Sequence, residues 1–214
     1  MHASLRRTLL ALIFISIVVG SGAFYTQLPD PMVTHWNIAG EPDGYSPRHI
    51  AVLIGPIMLL LLYLFMVVIP HIDPLSENIG HFRKHYDVFW LALAVFFAYI
   101  HWLTLASNMG VQFNIGQAML PAIAALWYII GGLLKHAEPN WFVGIRTPWT
   151  LSDERVWLST HRLGSTIFKT SAVLMLVSAI RPAYGFYVVL ACAVGSSIFL
   201  VLYSYFAYRR LHIK

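Results

Sequence analysis

Long apolar runs alternate with short polar ones along almost the whole chain. Six apolar segments stand out, roughly Thr8–Tyr25, Ile50–Pro70, Asp87–Asn108, Met119–Leu134, Thr166–Ile180 and Tyr184–Tyr208. A helix needs about 20 residues to cross the hydrocarbon of a bilayer. The second, third and sixth segments meet that length easily. The fourth and fifth are short and must borrow flanking residues or thin the bilayer locally. Backbone polar groups in lipid must be satisfied within the segment, which makes these runs helices. The pattern therefore predicts an all-α membrane protein, a six-helix transmembrane bundle. It divides into an N-terminal helix pair with an ordered outer loop, residues 1–70, and a four-helix region, residues 71–214.

Composition supports this class. Of the 214 residues 58% are hydrophobic and 11% charged, with a mean hydropathy of +0.68. A soluble chain carries about 25% charged residues. The formal charge of +5 and the isoelectric point near 9.4 are read as basic cytoplasmic loops, not as a nucleic-acid surface. With a cytoplasmic N-terminus, Arg6, Arg7, Arg83, Lys84, Lys135, Arg146, Arg155, Arg162, Lys169, Arg209, Arg210 and Lys214 fall inside or at the inner interface. Only Arg48 and Arg181 of the 14 basic residues fall outside. This bias predicts both termini in the cytoplasm. Arg6-Arg7, an apolar run and Ser21-Gly22-Ala23 also fit a cleaved signal peptide; the length of the run and the spans after it favour an uncleaved first helix. The single cysteine, Cys192, supports neither an intramolecular disulfide nor a cysteine metal site.

The outer loop, residues 26–49, combines turn residues with aromatics. Pro29 and Pro31 keep it extended. Val33 to Trp36 fits a short strand, and Glu41-Pro42-Asp43-Gly44 a turn that folds Tyr45 back toward His35 or Trp36. His35 with Asp30 or Asp43 is a thin basis for a metal site, and packing is the preferred role. In the second loop His81 and His85, at i, i+4, fit one helix face, with His71 nearby, but no HExxH pattern accompanies them. Inside the third segment, His101 is an ionisable residue within a span and hence a candidate relay or ligand-binding group. A neutral histidine bonded to a neighbouring helix is the alternative.

The stretch from Asn140 to Gly164 concentrates the polar chemistry of the chain. It holds Trp141, Trp149 and Trp157, three of seven tryptophans. Trp141 and Phe142 suit the headgroup level. Pro148 forces Thr147 into an extended conformation. Thr150-Leu151-Ser152-Asp153 fits a capping box, which predicts a short cytoplasmic interfacial helix over Leu151–Leu163 with a break at Gly164. Glu154, Trp157, Leu158 and His161 then share one face, with Arg155 and Arg162 on a neighbouring one. Glu154 and His161 lie about 10 Å apart along the axis, too far for direct proton exchange, so Arg146 or another group would have to complete any site. GxSxG and HExxH are both absent. No catalytic residue, cofactor or metal is expected, and the loop reads best as a docking element.

The residues Asn140-Trp-Phe-Val-Gly-Ile-Arg-Thr-Pro-Trp-Thr-Leu-Ser-Asp-Glu-Arg-Val-Trp, with Thr160-His161-Arg162-Leu163-Gly164, resemble the signature of the SdpI family of bacterial membrane proteins. Leu28-Pro29, Thr34-His35-Trp36-Asn37 and Gly40-Glu41-Pro42-Asp43-Gly44-Tyr45 resemble the small domain of unknown function that precedes it in many members. The resemblance implies a multi-pass protein of the bacterial cell membrane that confers immunity to a secreted antimicrobial peptide and holds a cytoplasmic transcriptional repressor at the membrane. It marks Gly144, Arg146, Thr147, Pro148, Trp157 and His161 in the inner loop, to which the helix-face argument adds Glu154. In the outer loop it marks His35, Trp36, Asn37, Pro42, Asp43 and Gly44. The competing function, suggested by His101, is a small transporter or channel.

Overall fold

The computed structural model describes residues 3–212; Lys214, assigned above to the basic side, lies outside them. The elements in order are α1 (Ala3–Phe24), a 3-10 turn (Tyr25–Gln27), β1 (Met32–Trp36), β2 (Pro42–Ser46), α2 (Arg48–Ile72) and α3 (Ser76–His81). They continue with α4 (Arg83–Asn108), α5 (Ile115–His136), α6 (Pro148–Ser152), α7 (Glu154–Ser178), a second 3-10 turn (Pro182–Tyr184) and α8 (Gly185–His212). Among the described residues five helices are long and apolar enough to cross a membrane: α1 with its 3-10 extension, α2, α4, α5 and α8. The protein is a mostly helical, multi-pass membrane protein.

The fifth predicted span needs correction. No separate interfacial helix over Leu151–Leu163 exists, and Gly164 does not break the chain. Glu154 to Ser178 is one continuous helix of 25 residues, and α7 is not among the five apolar candidates. Gly164 is there because α7 touches its neighbours closely at that point. A Cβ would lie 2.7 Å from Ile145 Cδ1 and 3.4 Å from Leu134 Cδ1. The cap differs too. Thr147, not Thr150, caps the short α6, with Pro148 at its first turn, where a missing N–H costs nothing. Asp153 caps α7 by accepting from the amides of Arg155 and Val156.

Contacts along the helices fix their directions. Arg6 meets Asp87 and Ser21 meets His101, so α1 and α4 run parallel. The Tyr86 hydroxyl donates to the Met66 carbonyl, joining the N-terminal end of α4 to the C-terminal half of α2. His85 stacks on His136 while the Tyr99 hydroxyl donates to the Ala118 carbonyl, so α5 is antiparallel to α4. Trp127 stacks on Phe168 and the Trp157 indole reaches Ala137, so α7 is antiparallel to α5. Asp153 against His212 closes the set with α8. One end of the bundle thus collects the start of α1, the α2–α4 turn, the 137–153 loop and the end of α8. The other end carries Arg48, the hairpin and the turn at Arg181. Lys169 belongs to neither end: its stem packs against Gly131 within the α5–α7 contact, and its ammonium lies over the Tyr128 ring.

A buried ion pair ties the basic end together. Arg6 and Asp87 are 8% and 2% exposed and meet at 2.5 Å, while Arg83 donates its Nε–H to the same carboxylate at 2.8 Å. Charges withdrawn from water are tolerated only when matched. Two cations on one carboxylate place the heads of α1 and α4 together.

At the opposite end the strand at Val33–Trp36 is present, but the turn lies elsewhere. Pro42, Asp43 and Gly44 belong to β2, with Trp36 opposite Pro42, His35 opposite Gly44 and Val33 opposite Tyr45. The reversal is at Asn37–Glu41. The Asn37 side chain accepts from the amides of Ala39 and Glu41, and Gly40 has φ +82°. Asparagine makes such local bonds readily, which explains why it displaces the proline turn. Asn108 on α4 clamps the hairpin, accepting from the Val33 amide and donating to the Val33 carbonyl. Beneath, Leu28, Met32, Ala51, Val52 and Leu105 form a small core.

Candidate functional site

The start of the 137–153 loop is built around two buried polar side chains, Asn140 and Asp73, with the half-buried Asn78 beside them. Asn140 is fully buried. Its amide donates to the carbonyls of Glu138 and Val143, both at 2.8 Å, and its oxygen accepts from the amides of Phe142 and Val143. The backbone of the six-residue turn from Glu138 to Val143 is thereby held without helix or sheet, as a buried loop requires. Asp73, 4% exposed, accepts from the Leu75 amide with one oxygen and from the Trp141 amide with the other. Asn78 donates to the Pro139 carbonyl, and His81 meets Glu138 at 2.7 Å. Together they join the α2–α4 turn to the signature loop. His81 ends α3 while His85 lies in α4, beyond the break at Phe82, so the two histidines do not share one helix face.

Trp157 and His161 form the second layer. The Trp157 indole N–H donates to the Ala137 carbonyl at 2.8 Å. The His161 ring stacks on it, with centroids 3.9 Å apart. His161 Nδ1 faces the Trp157 carbonyl at 2.9 Å, and Nε2 accepts from the Ile145 amide at 2.9 Å. The first contact needs a proton on Nδ1 and the second a bare Nε2, so the ring is a neutral Nδ1–H tautomer with both nitrogens committed. Above it Gly144 has φ +126°, and a Cβ there would sit 2.4 Å from His161 Nε2 and 3.2 Å from the indole. Glycine is needed both for that backbone conformation and for the approach to the ring.

Thr147 and Thr150 complete the loop. Each hydroxyl meets the other's amide, the Thr150 hydroxyl donates to the Ile145 carbonyl, and the Thr147 hydroxyl lies 3.0 Å from that of Ser204 on α8. Arg146 is exposed and donates to the Trp141 carbonyl. Asp153 pairs with Arg155, with nitrogen and oxygen 2.7 Å apart, and the guanidinium holds its carboxyl down at about 2. A lowered value contributes stability above the ordinary aspartate range, lost as pH falls from about 4 toward 2.

The expected face of Glu154, Trp157, Leu158 and His161 is thus not a surface. Trp157 and His161 are interior, while Glu154 and Leu158 are exposed. Glu154 occupies the first turn of α7, before the packed level begins, so the same angular position passes from solvent to core along one helix. Gly144, Thr147, Trp157 and His161 come together as one packed knot, with Pro148 starting α6 beside it. Arg146 and Glu154 lie outside the knot. His101 is far away at the opposite end, buried, with Ser21 Oγ 2.8 Å from its Nε2. His35 pairs with Asp43 at 2.5 Å on the exposed hairpin; Trp36 and Asn37 flank it. Asp73, Asn78 and Asn140 carry as much of the loop as the signature residues do. Asp73 precedes Pro74, a turn-initiating pair that could have marked it; Asn78 and Asn140 carry no comparable sequence signal.

Residues 136–204 match the SdpI/YfhL protein family, and residues 11–60 match a domain of unknown function, DUF1648. The chain is 23% identical over 192 residues to the immunity protein SdpI of Bacillus subtilis (strain 168), covering 88% of each protein. The chain is thus similar to the SdpI/YfhL family over its C-terminal third and to one immunity protein over most of its length. No solved structure matches it. The SdpI match begins at the end of α5 and takes in the whole knot, while the DUF1648 match covers α1, the hairpin and half of α2. The DUF1648 match thus contains the hairpin, and the SdpI match runs from the knot at the basic end along α7, through the turn at Arg181 and back along α8.

Replacing Gly144 by alanine should lower the melting temperature of the purified protein and open the loop to protease, since a strained backbone of this kind costs about 1–3 kcal/mol. Unchanged melting and protease resistance would refute the packing of Gly144 on the His161 ring.

Proposed function

We propose that this chain is a non-enzymatic immunity protein of the bacterial cell membrane that protects against a secreted antimicrobial peptide. The observation that carries the reading is similarity to an immunity protein over 88% of both chains, including both family segments. The site is consistent with it. The knot's histidine has both nitrogens occupied and so offers no free base. What the loop offers is shape: a bonded turn that presents Trp141, Phe142 and Arg146 outward.

In this reading α7 is the sixth span, with the basic end in the cytoplasm and both termini with it. Support comes from the charges, since Arg6, Arg7, Arg83, Lys84, Arg155, Arg209 and Arg210 share the end opposite Arg48 and Arg181. The hairpin then faces outward, where it meets the peptide, and the exposed rim of the inner loop is the surface for a cytoplasmic repressor.

Deleting the gene should make the host more sensitive to antimicrobial peptides it secretes, and a plasmid copy should restore resistance. Equal survival of the two strains in the producer's medium would count against immunity. In a Cys192→Ser background, a membrane-impermeant maleimide should label a cysteine placed at Ala39 in intact cells and spare one at Ser152. Labelling of Ser152 instead would invert the topology. For the repressor arm, a small DNA-binding protein should appear in the membrane fraction only when the chain and the peptide are both present; its absence there removes that part of the reading.

A further inference from the structure

Between α7 and α8, at the basic end, lies an open groove of about 630 Å³ lined by Arg155, Ser159, Phe199, Leu202, Phe206 and Arg210 among others. Its polarity is graded. Arg155 and Arg210 stand at the mouth, beside the Asp153–His212 contact. Phe199, Leu202 and Phe206 continue the wall away from the mouth, each about half exposed. From residue 210 back to 199 the helix rises about 16 Å, close to half of the roughly 30 Å hydrocarbon thickness.

The charge at the mouth is unbalanced. Asp153 already meets Arg155 at 2.7 Å and His212 at 3.2 Å. Arg210 has no ion-pair partner among the described residues. Arg162 and Arg209 are exposed on the same two helices, Arg209 over the Tyr205 ring, and Glu154 is the one acid within α7. A cationic mouth on an apolar wall one leaflet deep matches an anionic headgroup with its acyl chain.

We propose that this groove is a binding site for an anionic phospholipid, its phosphate between Arg155 and Arg210 and one acyl chain along Phe199, Leu202 and Phe206. The inference rests on the groove and not on the immunity reading. Such a lipid would brace α7 against α8 just below Thr147 and Ser204, where the signature loop is fastened to α8.

The test is native mass spectrometry of the full chain in detergent, titrated with phosphatidylglycerol and phosphatidylcholine of identical acyl chains. Retention of phosphatidylglycerol should be about fivefold stronger or more, the weight of one arginine near an anionic headgroup. Arg210→Gln should remove that preference. Leu202→Trp, which fills the wall without changing charge, should weaken retention of both lipids. Glycerol phosphate, a headgroup without tails, should not compete. Equal retention of the two lipids, competition by glycerol phosphate, or full retention in Leu202→Trp would each overturn the proposal. The last arm decides the matter alone if Arg210→Gln does not fold.

Discussion

The stack of His161 on Trp157 is the contact on which the basic end depends. One indole N–H closes the end of α5, one imidazole nitrogen holds the loop at Ile145, and the other bonds the helix that carries it. Removing either ring would leave buried backbone groups unpaired, at about 1–3 kcal/mol each. Around it Met66, Ile79, Phe82, Tyr86, Leu133 and Val143 close into one core that draws on α2, α3, α4, α5 and the loop. Sequence segments far apart are therefore organised by one stack. A polar loop can sit at this position because Asn140 and Asp73 supply the partners that water would otherwise provide.

The two ends of the bundle solve the same problem differently. At the hairpin end a single asparagine, Asn108, fastens a two-stranded unit that could not stand alone in water. At the basic end Arg6 and Arg83 share the carboxylate of Asp87, and the helix heads are held by charge. Breaking such a buried pair by removing one partner costs about 3–5 kcal/mol. α4 carries both fasteners, one at each end, and so holds the head of α1 and the hairpin alike.

Much of this was legible in the chain. Hydrophobic runs located α2, α4 and α8 closely, because a lipid-facing helix shows its length directly in its composition. α7 was harder. Arg155, Arg162 and Lys169 interrupt its apolar character, and Gly164 reads locally as a stop although its cause is tertiary: Ile145 and Leu134 occupy the space of a side chain. The turn of the hairpin was misplaced because Pro42 and Gly44 carry strong turn propensity, while the bonds of Asn37 to Ala39 and Glu41 appear only once the strands pair. The resemblance singled out Gly144, Arg146, Thr147, Pro148, Trp157 and His161; Gly144, Thr147, Trp157 and His161 come together with Pro148 beside them, while Arg146 is exposed outside the knot. Periodicity gave the angular relation of Glu154 to His161 but not the depth at which the helix enters the core. Nothing in the local sequence around Asp87, at the head of an apolar run, tells which arginines its carboxylate meets.

The central claim is that the signature loop is a rigid element fixed by side-chain bonds, not a mobile linker. Hydrogen–deuterium exchange on the intact protein in a lipid nanodisc tests this most directly. The amides of Val143, Ile145 and Thr150 donate to Asn140, His161 and Thr147 respectively, and should exchange at least about tenfold more slowly than those of residues 112–114, which lie outside helix and strand. Exchange of the three amides as fast as in that segment would contradict the account.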